Sequence, residues 1–218
     1  MSDILTVKDL SMRFEDKTIF SDVNFSLEKG STTALLGANG TGKTTIIRIL
    51  MGMLQPTSGK INFASGTKIG YVPQFRNIDD DYPLSIRAFV ELNTPLFKTS
   101  KVKERVNHIL KETNLTEIQN TRMGEASGGQ KQRAYLAQAL IDQPDFIILD
   151  EATASLDPMA KVELMELIDH LNEKHHMTVL FTTHDIPLAR KYMKDYLLFE
   201  DKTLIGGKID DLSGEVES

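Results

Sequence analysis

The stretch GANGTGKTT at residues 37–45 combines one lysine with three threonines and three glycines. It fits the pattern G-x-x-x-x-G-K-[ST], with Gly37, Gly42, Lys43 and Thr44 at the fixed positions. Glycines let backbone N–H groups wrap a β-phosphate, and the lysine places a positive charge between β- and γ-phosphates. Because the Thr44 hydroxyl can bind Mg²⁺, the stretch predicts a site for a nucleotide and its metal.

Two adjacent acids end the stretch FIILDE at residues 146–151, directly after four apolar residues. A buried strand would deliver Asp150 and Glu151 to its carboxyl end, the edge at which ligands bind in open α/β sheets. Asp150 would hold Mg²⁺, directly or through water, and Glu151 could accept a proton from a water that attacks the γ-phosphate. Together with the phosphate loop, the pair predicts a hydrolase.

Gln74 and His184 also stand where strands are predicted to end, in GYVPQ and in TVLFTTHD. A neutral amide at position 74 could reach a metal or a water. Either residue alone would more often be an ordinary surface group. Because both positions fall at the edge that carries the acids, they are candidate site residues.

A second candidate anion-binding stretch, GEASGGQKQRAYLAQAL at residues 124–140, lacks the G-K-[ST] arrangement that places Lys43 beside the phosphates. Its serine and glycines stand where a helix is predicted to begin. Backbone N–H groups and the positive end of the helix dipole would therefore face an anion. The residues alone do not say which anion this is.

Hydrophobic periodicity indicates the elements that hold these motifs. Residues 4–36 are β-rich, and a helix follows the phosphate loop until Pro56. A helical block is predicted from about Ser85 to Asn114 and an amphipathic helix from Pro158 to about Lys174. Apolar runs without polar alternation predict parallel strands that are buried on both faces. The further strands predicted are KINFA, KIGYVP, FIILD, TVLFTTHD and YLLFED.

Composition narrows the function classes. The 218 residues carry a net charge of −6, which disfavours nucleic acid as the main partner. No cysteine is present, and no apolar stretch reaches the ~20 residues of a transmembrane helix. With neither a secretory signal nor a transit peptide visible, we expect a protein of the cytosol.

His170, His175 and His176, near Asp169 and Glu173, are expected to be surface groups rather than a metal site.

In their order, the motifs resemble those of the ATP-binding subunits of ABC (ATP-binding cassette) transporters over nearly the whole chain. GANGTGKTT resembles Walker A, YVPQ the Q-loop, SGGQ the signature, FIILDE Walker B, SLD at 155–157 the D-loop and TTHD the switch histidine. The resemblance implies an α/β fold: a P-loop NTPase core with a mostly parallel sheet, an N-terminal antiparallel β subdomain and an inserted α-helical signature subdomain. It also implies one domain over residues 1–218, with the insertion at about 80–143.

The resemblance assigns roles to the candidate residues. Two cassettes pair head to tail, so the signature of one closes over the ATP held by the other, and Lys43 of the partner chain supplies the missing charge. Catalysis is assigned to Glu151, His184 and Lys43. Mg²⁺ is assigned to Thr44, Gln74 and Asp150. ATP contacts are assigned to Phe14, Gly37, Asn39, Gly40, Thr41, Gly42, Lys43, Thr44, Thr45 and Gln74, and in the partner to Ser127, Gly128, Gly129, Gln130 and Asp157.

Two residues depart from the family pattern. Phe14 stands where the family usually has a tyrosine against adenine, so stacking is expected without a hydroxyl contact. Ala126 stands where the signature most often begins with leucine. We expect looser packing there but an intact anion site.

Partners and cargo are also implied by the resemblance: a second copy of the chain, membrane permease subunits, an extracytoplasmic binding protein and a position on the cytoplasmic face of the cell membrane. FRNIDDDYPLSIRAFVEL and HDIPLARKYMKDYLLF are similar to stretches of zinc and manganese uptake cassettes. Transition-metal import is the first expectation. Another importer, an exporter and a soluble ABC ATPase without a transport role are the alternatives.

Overall fold

The computed structural model describes residues 2–74, 78–79, 81–95 and 99–212. Its strands are β1 (Asp3–Phe14), β2 (Lys17–Glu28), β3 (Thr32–Leu36), β4 (Ser58–Phe63), β5 (Ile69–Val72), β6 (Phe146–Asp150), β7 (Thr178–Thr182), β8 (Asp195–Glu200) and β9 (Thr203–Lys208). Its α-helices are α1 (Lys43–Leu50), α2 (Ile86–Val90), α3 (Ser100–Glu112), α4 (Gly128–Leu140), α5 (Pro158–His175) and α6 (Ile186–Tyr192). Short 3-10 turns cover Glu91–Asn93 and Ile209–Asp211.

The strands form two sheets. One has six strands in the order β5-β6-β7-β3-β8-β9, and every neighbouring pair is parallel except β8 with β9. The other is antiparallel, with the order β2-β1-β4. The predicted fold class, α/β with a mostly parallel sheet and an antiparallel β unit, is confirmed.

Strands β3, β6 and β7 are buried at every position, as the runs FIILD and TVLFTTHD predicted for β6 and β7. Successive residues in these strands point to opposite sides of the sheet. Ala34 and Leu36 enter one hydrophobic cluster, while Leu35 between them enters the other. The six-stranded sheet therefore separates two cores.

The two cores define the layers of the molecule. The buried hydrophobic side chains of α2, α3, α4, α5 and α6 all fall in one cluster, so these helices cover one face of the sheet. The cluster on the other face contains α1 together with strands of the antiparallel sheet. The phosphate loop lies between β3 and α1. It is therefore positioned by the central sheet below it and the antiparallel sheet beside it.

Three boundaries differ from the sequence prediction. Helix α1 ends at Leu50, well before Pro56, because Gly52 takes the left-handed conformation with φ of 70°. The predicted helical block is divided into α2, a 3-10 turn and α3. Strand β9 was not predicted, since Gly206 and Gly207 interrupt its apolar pattern and the strand is mostly exposed.

Hydrogen-bonding side chains start the helices beside the site. Ser85 caps α2, where its hydroxyl accepts a bond from the N–H of Ala88 at 3.2 Å. Asp157 caps α5, which has Pro158 in its first turn.

Residues 75–77, 80 and 213–218, parts of the Q-loop segment and of the C-terminal stretch, lie outside the described residues. Among the helices that are described, none is long and apolar enough to cross a membrane.

Candidate functional site

The phosphate loop is held in shape by its own lysine. Lys43 Nζ donates to the carbonyl oxygens of Gly37 at 2.5 Å and Ala38 at 2.9 Å. The Thr41 hydroxyl donates to the same Ala38 carbonyl at 2.9 Å. Gly37, Gly40 and Gly42 have φ of 141°, 81° and 118°, which glycine adopts far more readily than other residues. The loop thus keeps a curved backbone ahead of α1.

Gly42 is also needed for close packing. A Cβ at this position would lie 3.0 Å from Ile19 Cγ2 and 3.2 Å from Phe20 Cδ1, both on β2. The antiparallel sheet therefore presses directly on the loop. Phe14, at the end of β1, begins the hairpin that continues into β2, and its ring is 46% exposed. The structure thus places an exposed aromatic ring on the hairpin that contacts the phosphate loop.

Lys43 is also linked electrostatically to the two acids. Burial lowers the pKa of the Lys43 ammonium, and the opposing attraction of Glu151 and Asp150 only partly offsets that shift. The lysine side chain is 6% exposed. The structure therefore brings the loop lysine and both predicted acids into one electrostatic environment.

Asp150 is the last residue of β6, and both of its carboxylate oxygens accept hydrogen bonds. Oδ2 accepts from Tyr71 Oη at 3.1 Å, and Oδ1 accepts from Thr182 Oγ1 at 3.0 Å. Tyr71 is on β5 and Thr182 on β7, the two neighbours of β6. The carboxylate is thus held from both sides, in a position that is 6% exposed.

Glu151 has a different environment. Its φ is 47°, in the left-handed region that few residues other than glycine adopt. Its N–H donates to Thr182 Oγ1 at 2.8 Å, and its Oε2 accepts from Gln74 Nε2 at 2.9 Å. The sharp turn after Asp150 explains how two adjacent acids point in different directions. Gln74 and Glu151, predicted from separate motifs, are in direct contact.

His184 is exposed and follows β7 by two residues. Glu151 and His184 line one small cavity together with Lys161 and Asp185. Lys161 Nζ is paired with Asp185 Oδ2 at 3.2 Å, and Asp185 Oδ1 accepts the Leu188 N–H at 3.1 Å. The aspartate after the histidine therefore ties the loop to α5 and to the start of α6.

The second glycine stretch forms the start of α4, with Ser127 as the cap and Gly128 as the first helical residue. Ser127 and Gln130 bond reciprocally: the serine hydroxyl accepts the Gln130 N–H at 3.3 Å, and Gln130 Oε1 accepts the Ser127 N–H at 2.9 Å. A Cβ on Gly129 would lie 3.0 Å from Ala160 Cβ of α5. Ala126 is buried in the core on the helical face of the sheet.

This turn is not joined to the phosphate loop within one chain. Over the residues that the structure describes, no hydrogen bond connects residues 127–130 with residues 37–45. Asp157 uses Oδ1 to accept the N–H groups of Met159 and Ala160, both at 3.0 Å. The assignments of Ser127, Gly128, Gly129, Gln130 and Asp157 to ATP in a partner remain predictions.

Comparison with known proteins decides the family. The sequence model described as ABC transporter matches residues 20–154, which is more than half of the chain. The chain belongs to the ABC transporter family. It is 36% identical over 194 residues to the Zinc import ATP-binding protein ZnuC of Photorhabdus laumondii subsp. laumondii, which covers 87% of this chain and 72% of that protein. The chain is an ABC ATPase, and ATP is its substrate.

Solved structures of ABC proteins share the fold. An inward-facing ABC transporter attributed to the metal-chelate type aligns with a TM-score of 0.87 and 29% identity, covering 96% of this chain and 85% of that chain. A dimeric structure of a bacterial ABC transporter cassette aligns with a TM-score of 0.78 and 25% identity, covering 94% of this chain and 98% of that chain. Both matches span nearly all of this chain, so the ABC fold extends well beyond residues 20–154.

Sequence reasoning missed Tyr71 and Thr182, which both contact Asp150. The signal for Thr182 is a hydroxyl residue at the end of an otherwise apolar run. Its significance depends on the register of β6 and β7, in which Asp150 lies directly opposite Thr182. Tyr71 lies opposite Ile148, two residues before the acid, and its long side chain reaches forward. Neither register can be read from a single sequence.

Two histidines outside the site lie near a partly buried acid. Glu112 Oε1 at the end of α3 lies 3.2 Å from His175 Nε2 and 3.3 Å from His108 Nε2, and it also accepts a hydrogen bond from Lys174. Burial raises the pKa of the Glu112 carboxyl, but the hydrogen bonds from Lys174 and His175 outweigh it and lower the pKa. This cluster joins the ends of α3 and α5. Asp169 and Glu173, the acids considered from the sequence, have no part in these contacts to Glu112.

Glu112→Gln is expected to lower the free energy of unfolding at pH 7 by up to about 1 kcal/mol, because Lys174 is almost half exposed and solvent screens the pair. The lowered folded pKa means that ionised Glu112 stabilises the fold above its unfolded pKa of about 4.3. This contribution is lost as the pH falls through the folded pKa. Urea unfolding at pH 7 and below about pH 4 should therefore show a difference that shrinks with acid. Glu173→Gln, on the exposed side of α5, is the matched control, and an equal difference at both pH values would contradict the assignment.

Proposed function

We propose that this chain is the ATP-hydrolysing subunit of a transition-metal importer, with zinc as the first candidate cargo. The observation that carries the cargo is the similarity over 87% of the chain to a protein named as a zinc import ATP-binding protein. The structural similarity to a transporter attributed to the metal-chelate type agrees with it. Cargo selection itself belongs to membrane and binding-protein partners.

The geometry supports a division of labour in ATP hydrolysis. Lys43 neutralises charge on the β- and γ-phosphates from within the curved loop. Glu151 accepts a proton from the attacking water. Gln74 orients the Glu151 carboxylate by donating a hydrogen bond to it at 2.9 Å. His184 shares a small cavity with Glu151, and in the proposed mechanism it contacts the γ-phosphate. Asp150 is held at the end of β6 by two hydroxyl groups.

Mg²⁺ is the metal that the family implies beside the nucleotide, and the residues present fit it. The hydroxyl of Thr44, the amide oxygen of Gln74 and the carboxylate of Asp150 are the hard oxygen donors that Mg²⁺ prefers. Asp150 accepts one hydrogen bond on each oxygen, and an ionised carboxylate offers about four acceptor positions. It therefore keeps the capacity to hold the ion or one of its waters. When bound, the metal would neutralise charge that develops on the phosphates.

We infer that two copies of the chain close on two ATP molecules, and the dimeric structure of the cassette that aligns with it supports the pairing of two copies. The start of α4 offers an anion the backbone N–H groups of Gly128 and Gly129 and the positive end of a 13-residue helix. Integral membrane permease subunits would convert closure into transport, and a separate extracytoplasmic binding protein would deliver the metal. Their action places the chain on the cytoplasmic face of the membrane, with no role for nucleic acid.

Deleting the gene in the organism that encodes the chain tests the cargo. Cellular zinc, or manganese, is expected to fall in metal-depleted medium, and a plasmid with the wild-type gene should restore it. A plasmid with Glu173→Gln should restore it equally, while Glu151→Gln should fail. Unchanged metal content together with a growth defect on another nutrient would remove the metal cargo and leave the ATPase assignment standing.

A further inference from the structure

Thr182 occupies an unusual place for a polar residue. It ends β7, is 0% exposed, and lies opposite Asp150 in the pairing of β6 with β7. The side chains before it, Val179, Leu180 and Phe181, are part of the two hydrophobic cores. A buried hydroxyl is costly unless its hydrogen bonds are made. The contacts of Thr182 therefore explain why a hydroxyl stands here.

The hydroxyl joins the two acids. Thr182 Oγ1 accepts the N–H of Glu151 at 2.8 Å, and it lies 3.0 Å from Asp150 Oδ1. A hydroxyl has one proton to donate and can accept at its lone pairs. Since the backbone N–H occupies the acceptor side, the hydroxyl proton has two acceptors in reach, Asp150 Oδ1 at 3.0 Å and the Leu149 carbonyl oxygen at 3.4 Å. The shorter distance and the charge of an ionised carboxylate favour Asp150. One side chain thus fixes the carboxylate of one acid and the backbone of the next.

The fixed backbone is a strained one. Glu151 has φ of 47°, a conformation that costs free energy for a residue with a side chain. The bond from its N–H to Thr182 helps to hold that conformation, which turns the Glu151 side chain towards Gln74. Loss of the bond would leave a partly buried N–H without its acceptor and would free the turn to relax.

The second oxygen of Asp150 is held from the other side. Tyr71 Oη donates to Oδ2 at 3.1 Å from β5. Two hydroxyl groups, one from each of the strands that flank β6, therefore set the plane of the Asp150 carboxylate. A charged acceptor strengthens each of these hydrogen bonds.

We propose that Thr182 and Tyr71 are positioning residues for ATP hydrolysis: together they orient Asp150, and Thr182 alone also holds the backbone of Glu151. The inference rests on the proposed roles of Asp150 and Glu151. Neither hydroxyl touches the reacting atoms. Their effect on the reaction passes through the two acids.

The test compares Thr182→Val, which keeps the branched shape and loses the hydroxyl, with Thr182→Ser, which keeps the hydroxyl and loses a methyl group. Thr182→Val is expected to lower the ATP turnover number about 10-fold or more, with the ATP affinity measured in EDTA unchanged. Thr182→Ser should stay within about 2-fold of wild type. A residue that only packs would give the opposite order, since valine fills the space and serine does not.

A second readout does not depend on activity. Hydrogen exchange at the Glu151 amide should be about 10-fold faster in Thr182→Val than in Thr182→Ser, because only serine offers an acceptor. Tyr71→Phe should leave that exchange rate unchanged and raise the Mg²⁺ concentration needed for half-maximal turnover about 10-fold. Tyr71→Phe also carries the test if Thr182→Val gives no folded protein.

Equal Glu151 amide exchange and equal turnover in the valine and serine variants would overturn the role of Thr182. An unchanged Mg²⁺ requirement in Tyr71→Phe would overturn the role of Tyr71. Failure of the proposed function has a different signature: the wild type would not hydrolyse ATP, or Asp150→Asn and Glu151→Gln would hydrolyse it normally. The exchange measurement separates the two cases, because it reports the Thr182 bond in either one.

Discussion

Glu151→Gln is expected to lower the ATP turnover number at least about 100-fold while ATP binding persists. The amide keeps the size and shape of the carboxylate but cannot accept the proton of the attacking water. In the structure the Glu151 N–H is held by Thr182, a contact that does not depend on the side chain. The backbone turn should therefore survive the substitution. Steady-state phosphate release and equilibrium binding of ATP measure the two effects separately.

The matched control for this experiment is Glu173→Gln, which makes the same chemical change on the exposed side of α5. It should hydrolyse ATP at the wild-type rate. With hydrolysis blocked, Glu151→Gln should also accumulate as a closed dimer in ATP, detectable by size-exclusion chromatography. Near-normal phosphate release by Glu151→Gln would refute the role of this acid as the general base.

The sequence predicted the residues of the site better than their contacts. Lys43, Asp150 and Glu151 were identified from motifs: Lys43 from the glycine loop before it, and the two acids from the apolar run that they end. The contact of Gln74 with Glu151 joins positions 77 apart in the chain. It depends on β5 and β6 being neighbours, and strand order is a property of the whole fold. Thr182 escaped prediction for the same reason.

In the fold, too, an element was predicted where its own residues determine it and was missed where it depends on pairing with another strand. The buried strands β6 and β7 were predicted because a strand covered on both faces is mostly apolar. The end of α1 was misplaced since Pro56 appeared to be the helix stop, whereas the left-handed Gly52 ends the helix first. Strand β9 lacks an apolar signal of its own. It forms because β8 presents an edge with which it pairs antiparallel.

Lys43→Ala and Ser127→Arg should each disable a dimer of identical chains, for different reasons. Lys43→Ala removes the charge between the phosphates and the bonds to Gly37 and Ala38 that curve the loop, so it should weaken ATP binding itself. Ser127→Arg breaks the reciprocal cap with Gln130 and places bulk and charge at the start of α4. Thr99→Arg, at the exposed cap of α3, controls for an arginine at a helix start and should remain active.

Mixing the two inactive variants tests whether the second glycine stretch completes the ATP site of a partner. In a mixed dimer with head-to-tail sites, both defects fall on one composite site and the other site is whole. Random pairing of equal amounts should therefore restore about a quarter of the wild-type sites, where either variant alone has none. The number of ATP molecules trapped per dimer in a Glu151→Gln background counts whole sites directly, even where hydrolysis at one site needs the other. If the mixture traps no more ATP than Lys43→Ala or Ser127→Arg alone, the sites are not shared between chains. The turn at Ser127 would then bind no phosphate of a partner, and the reciprocal cap with Gln130 would be its whole function.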